Sequence, residues 1–440
     1  MVREVKRATT PLAEHESYSA MPPLEALKVL LSLMASKQFS TRGKRYKLGL
    51  IDISRAHFYG QSKRRVYCTL PEQAGKCALL KRTMYGTLDA ANIWQETYVE
   101  ILKEHNIHQC VGWPALFINE EHDLRFLVHG DDFLCLGDED AIRFLEDCLK
   151  TKFEYRIDGL LGPDDKGDSH MHVLNRVVTF DKKTGEVCYE ADPRHAQHIV
   201  RALGLEGCKP VSTPAEKQKM SDILSSEEMS ELEREELTQF RSLTMRAAYL
   251  SADRADIAEA VKSLARHMSS PTAYSWTRLK RLGRYLAGKM RVVQRFRPQK
   301  MFNVIRVYCD SDHAGDLKTR KSTTGLVCML GQHCVKHSSN LQSTISLSSG
   351  ESEFYALVKA GAAGLGLKAM LDEWLVPCDL VLLSDSSAAR GIAARKGLPR
   401  HSNVFQRTTE SPIGMIQCLR GMTMSFGMGY DARKNTFKLV

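Results

Sequence analysis

Apolar residues fall into short blocks separated by polar turns, and the spacing within each block predicts its element. Leu24, Leu27, Val29, Leu30, Leu31 and Leu33 recur at helical spacing, which predicts an amphipathic helix over Leu24 to Met34 behind Pro22-Pro23. After a basic linker at Arg42-Gly43-Lys44-Arg45, the run Leu48-Gly49-Leu50-Ile51 is short enough to be a strand, with Asp52 at its end. Phe126-Leu127-Val128 and Phe133-Leu134-Cys135-Leu136 flank the turn-forming pair Gly130-Asp131, the pattern of a tight β-hairpin. Trp94 and Tyr98, at helical spacing, read as core packing. Beyond the hairpin the pattern predicts a helix over Asp140 to Lys152, a turn-rich insert over 159–169 and a strand over His172 to Phe180.

A linker over Pro210 to Pro214 opens the second half. The acidic run SDILSSEEMSELEREELTQ from Ser221 reads as a solvated helix face. Leu250, Ile257, Val261, Leu264 and Ala265 predict a helix over Tyr249 to Met268, paired with another over Ser275 to Leu286. Val304 to Cys309 is a strand ending at Asp310, and Thr323 to Val335 holds a second and third. A long helix opens at Ser349 and reaches Trp374, and a strand over Asp379 to Ser384 ends at Asp385. There is no internal repeat. The mixture predicts a multidomain chain of α+β and α/β parts.

Composition narrows this picture. At 440 residues the chain has length for two or three domains, and 43% apolar with 26% charged residues is ordinary for a soluble globular protein. No run of about 18 apolar residues predicts a membrane span, and MVREVKRATTPLAEHE lacks the apolar core of a secretory signal. The net charge of +10, from 62 basic against 52 acidic residues, favours a polyanionic partner, although a merely basic soluble protein fits charge alone equally well. The 12 cysteines stand singly from Cys68 to Cys418 without a CxxC pair, so free thiols in a reducing, cytoplasmic or nuclear setting are expected. His333-Cys334-His337 is a weak metal candidate because it lies in a strand-like run.

The hairpin carries the sharpest chemistry. Its tip bears two adjacent carboxylates, Asp131 and Asp132, and a charged pair between buried strands costs folding energy unless something binds it. Asp52, about eighty residues earlier, is by itself either a helix cap or a metal ligand. A strand-end Asp with an Asp-Asp hairpin is the constellation of nucleotide-polymerising palms, where two magnesium ions about 3.5 to 4 Å apart activate a 3′ oxygen and hold a triphosphate. Carboxylate oxygens suit that hard cation. Carboxylates at two strand ends, Asp310 and Asp385, and on the helix that opens Ser349-Gly350-Glu351-Ser352-Glu353 can converge on a single edge of a sheet, as a two-metal nuclease requires.

From about Leu24 to about Leu398 the sequence resembles the reverse transcriptase and ribonuclease H portion of a copia-type retrotransposon polyprotein. Five stretches carry the resemblance: KLGLIDISRAHFYGQSKRRVYCTLP from Lys47, LLKRTMYGTLDAANIWQETYVEIL from Leu79, the hairpin, FRSLTMRAAYLSADRADIAEAVKSLARHMSSPTAYSWTRLKRLGRYLAGK from Phe240, and VYCDSDHAGDLKTRKSTTGLVCMLG from Val307 continuing through LSSGESEFYAL and LLSDSSAARGIA. The resemblance implies an N-terminal segment over 1–46, a reverse transcriptase palm over 47–208, a linker and helical thumb or connection over 209–300, a ribonuclease H-like domain over 301–400 and a divergent tail over 401–440. It implies Asp52, Asp131 and Asp132 as polymerase carboxylates, with Asp52 and Asp131 the direct ligands, and Asp310, Glu353 and Asp385 as nuclease ligands. Asp312 and Glu351 are left as surface or capping residues. His57 stands where the family usually stacks an aromatic ring under the incoming sugar, and His129-Gly130 stands where a Tyr and a small or branched residue are usual. The family context turns Arg278, Lys280, Arg281 and Arg284, otherwise as well explained by a solvated face, into phosphate contacts.

The implied cofactor is magnesium, two ions per site, with manganese the other candidate. The implied partners are an RNA template, a DNA primer, an RNA–DNA hybrid and deoxynucleoside triphosphates, with no membrane. Two departures stand out. The basic fingers segment expected before residue 24 is not recognisable, and Asn403, in Arg400-His401-Ser402-Asn403, replaces an acid that would complete the nuclease. The expectation is therefore an RNA-directed DNA polymerase with associated ribonuclease H, or else a degenerate retroelement remnant that binds nucleic acid without efficient catalysis.

Overall fold

The run around Leu48 forms strand β1 (Lys47–Ile53), whose residues are buried except Asp52. Continuous apolar burial of this kind is what a central strand covered on both faces demands. The computed structural model describes residues 17–37, 39–69, 77–164, 167–216, 230–394, 428–431 and 436–439. It divides the chain into two units, Met1–Val173 with Val178–Val187 and Ala369–Val376, and Leu174–Val177 with Cys188–Lys368 and Pro377–Val440.

In the first unit, a small hairpin of β2 (Tyr67–Thr69) and β3 (Cys77–Leu79) precedes the main sheet. That sheet adds β4 (His108–Gln109), β5 (Leu116–Asn119), β6 (Leu124–His129), β7 (Asp132–Gly137) and β8 (Tyr155–Leu161) to β1, in the order β4-β5-β6-β7-β1-β8. Its pairs are all antiparallel. Helices Ala90–Glu104 and Glu139–Lys150 pack on it through Trp94, Tyr98, Leu102, Ile142, Leu145 and Leu149. The second helix begins where expected because Asp138 caps it, accepting from the Ala141 N–H at 3.0 Å. Helix Leu24–Ser36 is buried along its whole length from Ala26, Lys28 and Ser32 included, so the amphipathic reading is corrected. Apolar residues at 27, 29, 30, 31 and 33 cover more than one face, and such a helix belongs inside. Trp374 is fully buried, its indole donating to the Phe117 carbonyl at 3.2 Å and its own carbonyl accepting from Arg125 Nε at 2.7 Å.

The expected strand over His172 to Phe180 is two strands, β9 (His170–Val173) and β10 (Arg176–Phe180), followed by β11 (Val187–Ala191). Leu174 and Asn175, at φ 49° and 62°, break the run. The reading of 159–169 as turn begins too early, since β8 continues to Leu161.

In the second unit, helices Pro193–Ala202, Arg234–Ser251, Ala258–Ala265 and Ala273–Gly288 bury Ile199, Phe240, Leu243, Leu250, Val261, Leu264, Leu279 and Leu282 in one cluster. The helix expected over Tyr249 to Met268 is thus two helices with a break between. Arg254 causes the break: it is 2% exposed, leaves the helical backbone at φ −116° and ψ 85°, forks both Asp256 oxygens at 2.8 and 2.7 Å and donates to the Lys289 carbonyl at 3.1 Å. A buried guanidinium needs those partners more than the chain needs an unbroken helix. Of the acidic run, the described Glu231, Glu233 and Glu235 are exposed as expected, while the helix they lead into turns Phe240 and Leu243 inward.

Strand β12 (Val293–Phe296) leads to a second six-stranded sheet of β13 (Val304–Asp312), β14 (Thr323–Leu330), β15 (His333–Leu341), β16 (Asp379–Leu383), β17 (Met428–Asp431) and β18 (Thr436–Leu439). The order is β15-β14-β13-β16-β18-β17. β13 and β16 are parallel, so the chain must cross over between them, and helix Ser349–Glu373 makes the crossing. By length and composition alone this helix is apolar enough to cross a membrane, with mean hydropathy 1.3 over its best window. Its glycines instead bring it onto the sheet. A Cβ on Gly364 would lie 2.5 Å from Leu380 Cδ1 and 3.1 Å from Val307 Cγ2. The described cysteines are all free; Cys418 lies outside the described residues.

Candidate metal centres

Antiparallel register brings the first centre together. Asp52 near the end of β1 is the direct cross-strand partner of Asp132 at the start of β7. Asp131 occupies the two-residue loop between β6 and β7, whose first position, Gly130, takes φ 68°, a conformation that costs glycine least. The three half-buried carboxylates each offer an oxygen within 4.8 Å of the others. Like charges set opposite each other in a sheet repel. Burial first, then Asp131, Asp52 and Asp158, pushes the Asp132 carboxyl up to about 6. Asp52 is raised by burial and by Asp131 and Asp158. The counter-cation is Arg156, which reaches Asp52 at 3.5 Å and pairs with Asp158. A crowded all-oxygen donor set with so little countercharge fits a hard divalent cation.

The walls of this centre come from the first two resembling stretches. His57 lies in a one-turn helix after β1, its ring stacked on Tyr85 with centroids 4.3 Å apart and 20° between planes. Its buried Nδ1 has no hydrogen-bond partner among the described residues, and burial lowers its pKa. Burial thus favours the neutral imidazole, against the pull of Asp131. Trp94 is buried as its spacing predicts, against Tyr98 and Phe153. Spacing gave no sign of its second contact, an indole N–H donated to the Gly130 carbonyl at 2.8 Å.

The second centre is built by the crossover. β13 runs on to Asp312, past the end expected at Asp310; Asp310 on it and Asp385 just beyond β16 lie toward the same end of two parallel neighbours, and Glu353 comes from the first turns of the crossing helix. The three again offer oxygens within 4.8 Å of one another, with Glu353 buried and both aspartates exposed. Glu353 Oε1 accepts from the Ser311 N–H at 3.1 Å, while its buried Oε2 has no hydrogen-bond partner among the described residues. Burial, opposed by that N–H and helped by Asp310 and Asp385, lifts its pKa to about 7. A buried carboxylate that converges with two other acids is a ligand position in need of a cation. Asp312 instead accepts from the N–H of its cross-strand partner Thr323, and Glu351 from the Leu347 N–H and the Tyr355 hydroxyl. Beside Asp310 lies a cleft of roughly 480 Å³, lined by Ala255, Ala258, Tyr308, Asp312, Thr323 and Ser339 among others.

The basic helix Ala273–Gly288 divides its cations. Lys280 is exposed, its ammonium 5.9 Å from the Trp276 ring, and Arg278 leans on Tyr274. Arg281 bonds Thr213 at 2.8 Å and pairs with Glu216 at 2.5 Å, and Arg284 donates to the Lys209 carbonyl at 3.1 Å. Those two hold the 209–216 linker. His333 uses both ring nitrogens, on the Arg297 carbonyl at 2.8 Å and Gln299 at 3.1 Å, and His337 bonds the Ser251 carbonyl at 3.0 Å. No metal cluster forms there among the described residues. Asn403 lies outside the described residues.

No protein-family model matches the chain. Among curated proteins it is 24% identical over 387 residues to the retrovirus-related Pol polyprotein from transposon TNT 1-94 of Nicotiana tabacum, covering 85% of this chain and 28% of that protein. It is 22% identical over 359 residues to the Pol polyprotein from transposon RE2 of Arabidopsis thaliana, covering 79% and 23%. The chain thus spans about a quarter of the length of these relatives. Among solved structures, the foamy viral protease-reverse transcriptase in complex with dsDNA is 14% identical at a TM-score of 0.46, covering 90% of this chain and 69% of that one.

Proposed function

Since this chain is a homologue of the Pol polyproteins of plant copia-type transposons, we propose that it is an RNA-directed DNA polymerase with an associated ribonuclease H. One observation carries the reading: two separate triads of carboxylates, Asp52-Asp131-Asp132 and Asp310-Glu353-Asp385, each converge within 4.8 Å. Magnesium or manganese, when bound, would activate an attacking oxygen and neutralise charge developing on phosphate.

At the first centre Asp52 and Asp131 hold the cations, and Asp132 adds charge from the facing strand. His57 and Tyr85 wall the pocket beside them, with His57 under the sugar of a deoxynucleoside triphosphate. At the second centre Glu353, anchored by the Ser311 N–H, would hold cations together with Asp310 and Asp385 against the RNA strand of a hybrid. Lys280 and Arg278 meet backbone phosphates.

Primer extension on an RNA template with magnesium tests the first centre: wild type extends and Asp131→Asn does not. Extension by both proteins would overturn the site. A second reading, a folded remnant that binds nucleic acid without turnover, is favoured by Asn403 standing where the resemblance puts an acid. On that ground cleavage of an RNA–DNA hybrid is expected to be weak and to rise in Asn403→Asp. Robust cleavage indifferent to that change would show that the fourth ligand lies elsewhere.

A further inference from the structure

The loop that presents Asp131 is tied down through its backbone. The Trp94 indole donates to the Gly130 carbonyl at 2.8 Å, and the Ile53 N–H donates to the Asp131 carbonyl at 3.0 Å. Those carbonyls belong to the two peptide planes on either side of the Asp131 Cα. Peptides are planar, so fixing both planes fixes the residue's φ and ψ and the direction of its Cα–Cβ bond. The Ile53 bond comes with the strand. The Trp94 bond is separate, and it lands on the loop's most deformable residue: Gly130 has positive φ, and nothing lies within 4 Å of where its Cβ would be.

The indole is itself rigidly held. Trp94 is 2% exposed, with Tyr98 and Phe153 edge-on at 5.2 and 4.9 Å and Tyr59 tilted at 6.3 Å. A donor fixed in an aromatic cage transmits the position of the helix Ala90–Glu104 to the loop. Packing alone would be satisfied by any large ring, whereas the N–H is what reaches the carbonyl.

We propose that Trp94 is a positioning residue for the first acidic centre, setting where the Asp131 carboxylate points through a hydrogen bond to Gly130. The inference rests on the polymerase reading for its catalytic consequence and on geometry alone for its metal-binding consequence. Ligands must be held to about 0.5 Å for efficient use, and a displacement of about 1 Å costs on the order of 100-fold in rate.

The test replaces Trp94 with 3-benzothienylalanine, which keeps the ring's shape and lacks the N–H, and with Phe in Trp94→Phe. Two readouts are taken on the full chain: the manganese concentration giving half the maximal rise in melting temperature, and the kinetics of primer extension. The expected result is a several-fold higher manganese midpoint and a kcat lower by roughly 10- to 100-fold, with the triphosphate KM changed by less than about threefold. Phe153→Leu trims the same cage without touching the bond, and is expected to lower the melting temperature while leaving the manganese midpoint unchanged.

A benzothienyl variant with the wild-type midpoint would overturn the proposal. So would a Phe153→Leu midpoint raised as far as that of Trp94→Phe. If wild type extends no primer, the polymerase reading fails, and the manganese midpoints still decide whether Trp94 positions the loop.

Discussion

Asp132→Asn should make the metal-free protein more stable at neutral pH, although it deletes an acid from the centre of a candidate active site. The carboxyl is raised from 3.8 to about 6, by burial first and by Asp131, Asp52 and Asp158 after it, with Arg156 opposing. A raised folded-state pKa means that the folded protein binds the proton more tightly than the unfolded chain. The stability contributed by this one group is therefore fully present below about pH 4, is lost as pH rises through the window from about 4 to about 6, and stays lost above it. Two units at about 1.4 kcal/mol each give an upper limit of roughly 3 kcal/mol. Because Asp132 is part-exposed, solvent screening lowers this to about 1–2 kcal/mol. For a unit of this size that corresponds to a shift of roughly 2–8 °C in the transition of the first unit.

The assay is thermal unfolding of the full chain in EDTA at about pH 4 and about pH 8, repeated with saturating manganese. Mutant and wild type should coincide at the lower pH, and the mutant should melt higher at the upper one. Manganese should then raise the wild type more than the mutant, since a bound cation relieves the same repulsion. A mutant that melts at or below wild type near pH 8 in EDTA would refute the electrostatic account of this centre.

Glu353→Gln should likewise cost no stability near pH 8 without metal, because it replaces a carboxylate whose pKa is lifted to about 7, and it should abolish hybrid cleavage; a melt and a cleavage assay check the two halves. Lys280→Glu should weaken nucleic-acid binding and reduce the slope of log affinity against log salt by about one or more, read by fluorescence anisotropy. Arg284→Ala, whose guanidinium is already bonded to the Lys209 carbonyl, should lower the melting temperature with little change in that slope.

The site was more legible in the sequence than the packing around it. Asp52, Asp131 and Asp132 could be paired from a strand end and a Gly-Asp turn, while Asp310, Glu353 and Asp385 were singled out among neighbouring acids by the family resemblance. Such signals are local, and local chemistry survives in one dimension. The two broken elements were misread for the opposite reason. Arg254 stops a helix because of partners at Asp256 and Lys289, and residues 172–180 split at two consecutive positive-φ residues, neither of them glycine. The basic helix shows the same limit: four cations look alike in sequence, but two of them are committed to residues 209–216.

Alternation and turn residues by themselves determined that this chain builds a hairpin with two carboxylates at its tip, and a strand-helix-strand unit whose acids the family resemblance picked out. Tertiary structure alone decided which side chains serve those acids. Register set Asp52 opposite Asp132, the crossover brought Glu353 to Asp310 and Asp385, and helix packing delivered the Trp94 N–H to the Gly130 carbonyl. Periodicity records which face of an element is apolar, since burial acts on every residue of that face. A hydrogen bond between residues 36 positions apart leaves no period to read.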